Sequence, residues 1–114
     1  MTNELLTATL AEKVMHWGVA PDRFLLGNRQ WISRTQFQPL NRVQDAFRLL
    51  RKLTSIFSLT RSGDGTFTAA VRIGDRTGRA SGESEAATIT LAVARAIGLE
   101  PDERQPPKTG VDRR

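Results

Sequence analysis

The chain has 114 residues, 39% of them hydrophobic and 25% charged, with no cysteine and a formal net charge of +5 at pH 7. That length suits one domain around one buried core, and the absence of cysteine excludes disulfides, thiolate metal sites and cysteine nucleophiles. Glu4 and Glu12 interrupt the N-terminal apolar run, which lacks a basic leader and does not read as a signal peptide. No apolar run approaches the roughly 20 residues that span a bilayer, so a cytoplasmic protein without membrane partners is expected. The charge is uneven: Asp22 to Arg61 holds eight basic residues (Arg23, Arg29, Arg34, Arg42, Arg48, Arg51, Lys52 and Arg61) against Asp22 and Asp45. Fourteen of the 17 cations are Arg, whose planar fork pairs bidentately with phosphate and carboxylate.

Residues 3 to 17 predict a helix with Leu6, Leu10, Val14 and Trp17 on one face, ended by Gly18 and Pro21. Strands near Arg23 to Leu26 and Gln30 to Ser33 flank Gly27-Asn28, which reads as a tight hairpin. Asn41 then opens a helix from Arg42 to Leu53, with Gln44 completing a capping box. Its core stripe is Val43, Ala46, Phe47, Leu50 and Leu53, centred on Phe47, and its other face carries Arg42, Arg48, Arg51 and Lys52. Three antiparallel strands follow at Ser55 to Thr60, Thr66 to Ile73 and Thr77 to Gly82, the last a weak edge rich in small residues. A final helix from Glu85 to Ile97 carries Ala87, Leu91, Ala94 and Ile97, with Gly98 just past its end. Beyond Glu100 the composition turns to proline and scattered charge, so residues 1–100 are expected to form the domain and 101–114 a disordered tail. The order α-β-β-α-β-β-β-α defines an α+β fold, a mainly antiparallel sheet covered by helices.

The stretch Asp22-Arg-Phe-Leu-Leu-Gly-Asn-Arg-Gln-Trp31, continuing through Phe37-Gln-Pro-Leu40 to Asn41-Arg-Val-Gln-Asp-Ala-Phe-Arg-Leu-Leu50, resembles the αβα-sandwich domain family of phage and prophage proteins. The likeness extends over most of residues 4 to 99. It implies an αβα-type sandwich, a bacterial host cytoplasm and no assigned activity. A second resemblance covers residues 41 to 99. There the order α-β-β-β-α and the run Gly78-x-Ala80-x-Gly82-x-Ser84, leading into an alanine-rich helix, are similar to double-stranded RNA-binding domains. That family grips phosphates with a lysine cluster at the start of its last helix. The matching positions here are Ser84, Glu85, Ala86 and Ala87, which reverse the charge.

Catalytic candidates are few. His16 has no histidine, cysteine or paired carboxylate near it in sequence, and reads as a surface or boundary residue. Glu83 and Glu85 flank Ser84 at a helix start, where negative charge complements the helix dipole. Gly74, Gly78 and Gly82 read as turn and edge-strand glycines, because the acidic pair occupies the place a phosphate would take. No catalytic, cofactor or metal site is expected. Trp31, between Arg29 and Arg34, offers a ring beside guanidinium groups, although core or boundary packing is the favoured reading for it. By analogy with small phage proteins, the resemblance to the αβα-sandwich family implies a non-enzymatic function: a phage or prophage accessory protein that binds and inhibits a defence-related host target, through a face made of Arg23, Arg29, Trp31, Arg34, Arg42, Arg48, Arg51 and Lys52. The expected partner is a host protein or complex. A nucleic acid or a small anionic nucleotide is the alternative, and a homo-oligomer remains open.

Overall fold

In a computed structural model, which describes residues 2–53 and 56–99, the strands divide between two sheets instead of gathering in one. Helix α1 (Asn3–Lys13) leads into β1 (Gly18–Val19), β2 (Arg23–Gly27) and β3 (Gln30–Ser33), then a 3-10 turn (Arg34–Gln36). After α2 (Val43–Lys52) come β4 (Ile56–Arg61), β5 (Phe67–Ile73), β6 (Arg76–Gly82) and α3 (Glu85–Ala96). The sheets are antiparallel, ordered β1-β2-β3 and β4-β5-β6, so the α+β class stands with one more strand than the sequence predicts. The expected tail lies outside the described residues, as does Ser55.

Helix α1 starts where the Thr2 hydroxyl accepts the Leu5 N–H at 3.0 Å. It stops earlier than its apolar spacing predicts. His16 adopts φ 61°, the left-handed conformation that reverses a chain, and the Trp17 N–H reaches back to the Ala11 carbonyl at 3.0 Å. The reversal still buries Trp17 beside Leu6, Leu10 and Val14. Trp17, Phe24 and Phe37 then form an aromatic triangle, with ring centroids 5.0 to 5.9 Å apart and mainly edge-to-face.

Helix α2 is rotated from its predicted orientation. Its buried residues are Asp45, Ala46, Leu49 and Leu50, whereas Phe47 and Val43 are only partly buried. The cause is Asp45: its carboxylate accepts the Gln38 N–H at 2.9 Å, and this partly buried bond turns the Asp45–Leu49 side inward. Arg42, not Asn41, is the N-cap, and it makes no side-chain cap bond. The Asn41 amide instead donates to the Gln38 side chain at 3.1 Å, so the expected capping box is absent. Phe47 meets Phe57 edge-on at 6.2 Å. Phe47→Ala is accordingly expected to cost about 1–2 kcal/mol in urea unfolding, below the 3–5 of a fully buried phenylalanine.

The second sheet packs against α3 through small residues. Gly78 and Ala80 of β6 and Ala69 and Val71 of β5 are buried with Ile89, Ala92, Val93 and Ala96 of α3. The Ser84 hydroxyl caps α3 by accepting the Ala87 N–H at 3.2 Å, and Gly98 follows the helix at φ 91°. The buried Thr90 hydroxyl donates to the Pro39 carbonyl at 2.7 Å. Loop 37–40 is thus tied to α2 through Asp45 and to α3 through Thr90, which fixes Phe37 where the two halves of the core meet.

Candidate functional site

The period-2 alternation of β2 sends Phe24 into the core, where no part of it is exposed, and turns Leu25 outward. In the registers Gly18↔Leu25 and Leu25↔Trp31, one residue from each strand lines up across the outer face of the first sheet. A Cβ on Gly18 would lie 3.3 Å from Leu25 Cβ and Cδ1, so the leucine side chain lies against bare backbone. Leu25 is 46% exposed and Trp31 54%. The favoured packed position for Trp31 is therefore corrected: among the described residues no element covers this face of the short sheet, and the ring stands on the surface.

One guanidinium organises this patch. Arg23 Cζ sits 4.3 Å from the centre of the Trp31 ring, while Nε and Nη2 each donate to the Asp22 carboxylate at 3.0 Å. Hydrogen bonding to Arg23 holds the Asp22 carboxyl below its ordinary range and raises the Arg23 guanidinium above its own. Any contribution from this pair is present above the usual carboxylate range and lost as pH falls through the lowered value, so the Arg23–Trp31 stack is constant across neutral pH.

The hairpin tip adds a strained cation. Asn28 at φ 53° and Arg29 at φ 63° are the two left-handed residues that a two-residue turn of type I′ requires. Asparagine suits that conformation. A long side chain such as arginine pays roughly 1 kcal/mol for it, where glycine would not. Arg29→Gly is expected to raise the melting temperature by a few degrees in calorimetry, since it relieves the left-handed strain at φ 63°.

The eight basic and aromatic candidates separate into three sets. Arg23, Arg29 and Trp31 belong to the hairpin patch. Arg34 and Arg48 hold the core closed: Arg34 donates to the Ala20 carbonyl at 2.9 Å and lies 4.9 Å from the Phe24 ring centre. Arg48 lies 5.3 and 5.8 Å from Trp17 and Phe37 and pairs with Asp45 at 3.6 Å. Arg42, Arg51 and Lys52 are exposed on α2, the last two where positive charge complements the helix C-terminus. Among the described residues no hydrogen bond, ion pair or ring contact joins these three to the hairpin set. Sequence reasoning missed Leu25 and Gly18. The signal was present in Phe24-Leu25-Leu26, since three successive apolar residues on a strand cannot all face inward.

Elsewhere the expected local readings hold. His16 is exposed, Glu85 lies in the first turn of α3, Gly74 is a turn residue at φ 64°, and Gly78 and Gly82 lie on edge strand β6, where Gly78 in addition packs against the α3 backbone. Among the described residues no three His, Asp or Glu side chains group as metal ligands, and no helix is long and apolar enough to cross a membrane.

An α+β chain with two three-stranded antiparallel sheets and an exposed tryptophan–leucine patch is thus the class of protein defined here. Its fold is similar to that of a phage protein from Bacillus cereus ATCC 14579, known from a 2.0 Å crystal structure, with a TM-score of 0.74 over 90% of this chain and 93% of that one at 13% identity. No protein-family model matches the chain, and no curated protein matches it.

Proposed function

We propose that the protein is a non-enzymatic phage or prophage accessory protein that binds a host protein through the outer face of its first sheet. The observation that carries this reading is Trp31, 54% exposed beside Leu25 and stacked by Arg23. Tryptophan and arginine dominate the energetics of protein interfaces because a large ring and a pre-organised guanidinium bury area at low entropic cost. The complementary partner carries an apolar pocket for the ring and acidic groups opposite Arg29. The phage origin of the structurally similar protein supports the setting, and a host defence component, inhibited by occupation, is the class of target proposed. The nucleic-acid alternative is weaker on chemical grounds. The RNA-binding resemblance places phosphate at the start of α3, where Glu83 and Glu85 repel it, and Arg34 and Arg48 are engaged with aromatic rings.

Capture from nuclease-treated host lysate tests the proposal. The same protein partner should be retained at about 150 and 400 mM salt by the parent chain and lost with Trp31→Ala, because affinity anchored in a desolvated ring resists screening. Retention of nucleic acid alone, lost with rising salt, would refute it.

A further inference from the structure

The second sheet ends in two edge strands of different character. The β6 edge bears Arg76 and Arg79, and the Arg79 carbonyl accepts a hydrogen bond from Arg95 Nη1 at 2.6 Å. Among the described residues the β4 edge has no comparable protection, with Arg61 at its end as its one charge. Its residues Ile56–Arg61 pair with β5 in unbroken register and include no bulge, proline or lysine, the devices by which natural edges avoid further pairing. Ile56 is 75% exposed and Phe57 45%. Phe57 also meets the half-buried Phe47, so apolar surface continues from the edge onto α2.

We infer that β4 is a self-association surface, pairing antiparallel with β4 of a second copy about a two-fold axis at Ser58 to form one six-stranded sheet. The argument is the self-complementarity of the strand in this register. Facing residues share a side of the sheet only when pairing keeps the two-residue alternation, which a two-fold at Ser58 does. Phe57 then faces Leu59 of the second copy, Ile56 faces Thr60, and both relations occur twice. Shifting the axis to Leu59 sets Arg61 against Phe57 and leaves Ile56 unmatched. Shifting it to Phe57 leaves Leu59 and Thr60 unmatched within the strand. Charge selects the same arrangement. Arg61 is the one charged residue of β4, and antiparallel pairing separates the two copies of it by six residue rises, about 20 Å, well beyond the screening length near 8 Å at physiological salt. Parallel pairing would set them side by side. A closed two-fold of this kind is the commonest form of oligomer.

Ser58 is exposed, so its replacement tests the axis without disturbing the monomer core. Sedimentation of the full chain over about 1 to 300 µM, the range for contacts of micromolar strength, should show a concentration-dependent dimer. Ser58→Lys and Ser58→Glu should each be monomeric, because like charges meet at the axis, with melting temperatures within a few degrees of the parent. Their equimolar mixture should regain the dimer through a Lys–Glu pair. A parent chain monomeric throughout the range, a dimer that survives Ser58→Lys, or a mixture that stays monomeric would each overturn the proposal. Capture of another protein's extended strand by a monomeric parent chain would also overturn it. The Trp31 patch lies on the other sheet, so these outcomes are separate from those of the host-binding experiment.

Discussion

Gly78→Ala is expected to cost about 3 kcal/mol or more, a large share of the stability of an ordinary domain. A Cβ at this position would stand 2.2 Å from the Ala92 carbonyl oxygen, 2.3 Å from Ala96 N and 2.9 Å from the Arg95 carbonyl carbon. All three atoms are α3 backbone, so no side chain can rotate away and the whole helix must lift from the sheet. Lifting it opens the contact between Ala69, Val71 and Ala80 on the sheet and Ile89, Ala92, Val93 and Ala96 on the helix, all buried. At Gly63 a Cβ would meet nothing within 4 Å, so that position serves as the control. Urea unfolding should show a large loss for Gly78→Ala and less than about 1 kcal/mol for Gly63→Ala. Equal small losses would mean that α3 does not seat on β6.

Phe37→Ala should follow closely, at about 3–5 kcal/mol. Phe37 is fully buried, edge-on to Trp17 at 5.0 Å and to Phe24 at 5.9 Å. It also lies beneath Arg48, whose guanidinium is 5.8 Å from its ring centre. Removal leaves a cavity lined by rigid rings, and the hydrogen bonds from the Gln38 N–H to Asp45 and from the Thr90 hydroxyl to the Pro39 carbonyl hold the loop in place against collapse. A cavity that cannot collapse lies at the costly end of such substitutions. Calorimetry should report a melting temperature lower by well over 10 °C. A shift of only a few degrees would remove the aromatic triangle as the junction of the two halves.

Much of this architecture is legible in local patterns. The hairpin strands, the three strands of the second sheet and α3 stand within a residue or so of their expected bounds, because alternation and turn residues act over short distances. What escaped depends on distant partners. Strand β1 is two residues long and exists only through its pairing with β2. The end of α1 is set by a left-handed His16, a conformation that histidine tolerates better than most residues but whose usual signal in sequence is glycine. The inward face of α2 turns on Asp45, whose charge marks it as a surface residue until Gln38 supplies its partner. The basic segment was legible as composition but not as a surface: Arg34 and Arg48 cover aromatic rings, and only the fold reveals that they are engaged. Leu25 joined the candidate site once register placed it beside Trp31.

The most direct test of the central claim is the affinity of the captured host partner, measured by titration at two salt concentrations. One comparison is Trp31→Ala. The other is a variant in which Arg42, Arg51 and Lys52 are all replaced by Ala, sparing Arg34 and Arg48 so that the core stays closed. Loss of an interface anchor costs at least about 2 kcal/mol, so Trp31→Ala should weaken binding roughly 30-fold or more. The triple variant should stay within about threefold of the parent, since exposed charges outside the contact are worth little and are screened. Binding unchanged by Trp31→Ala but abolished by the triple variant, and falling steeply with salt, would contradict the account and move the functional surface from the hairpin to α2.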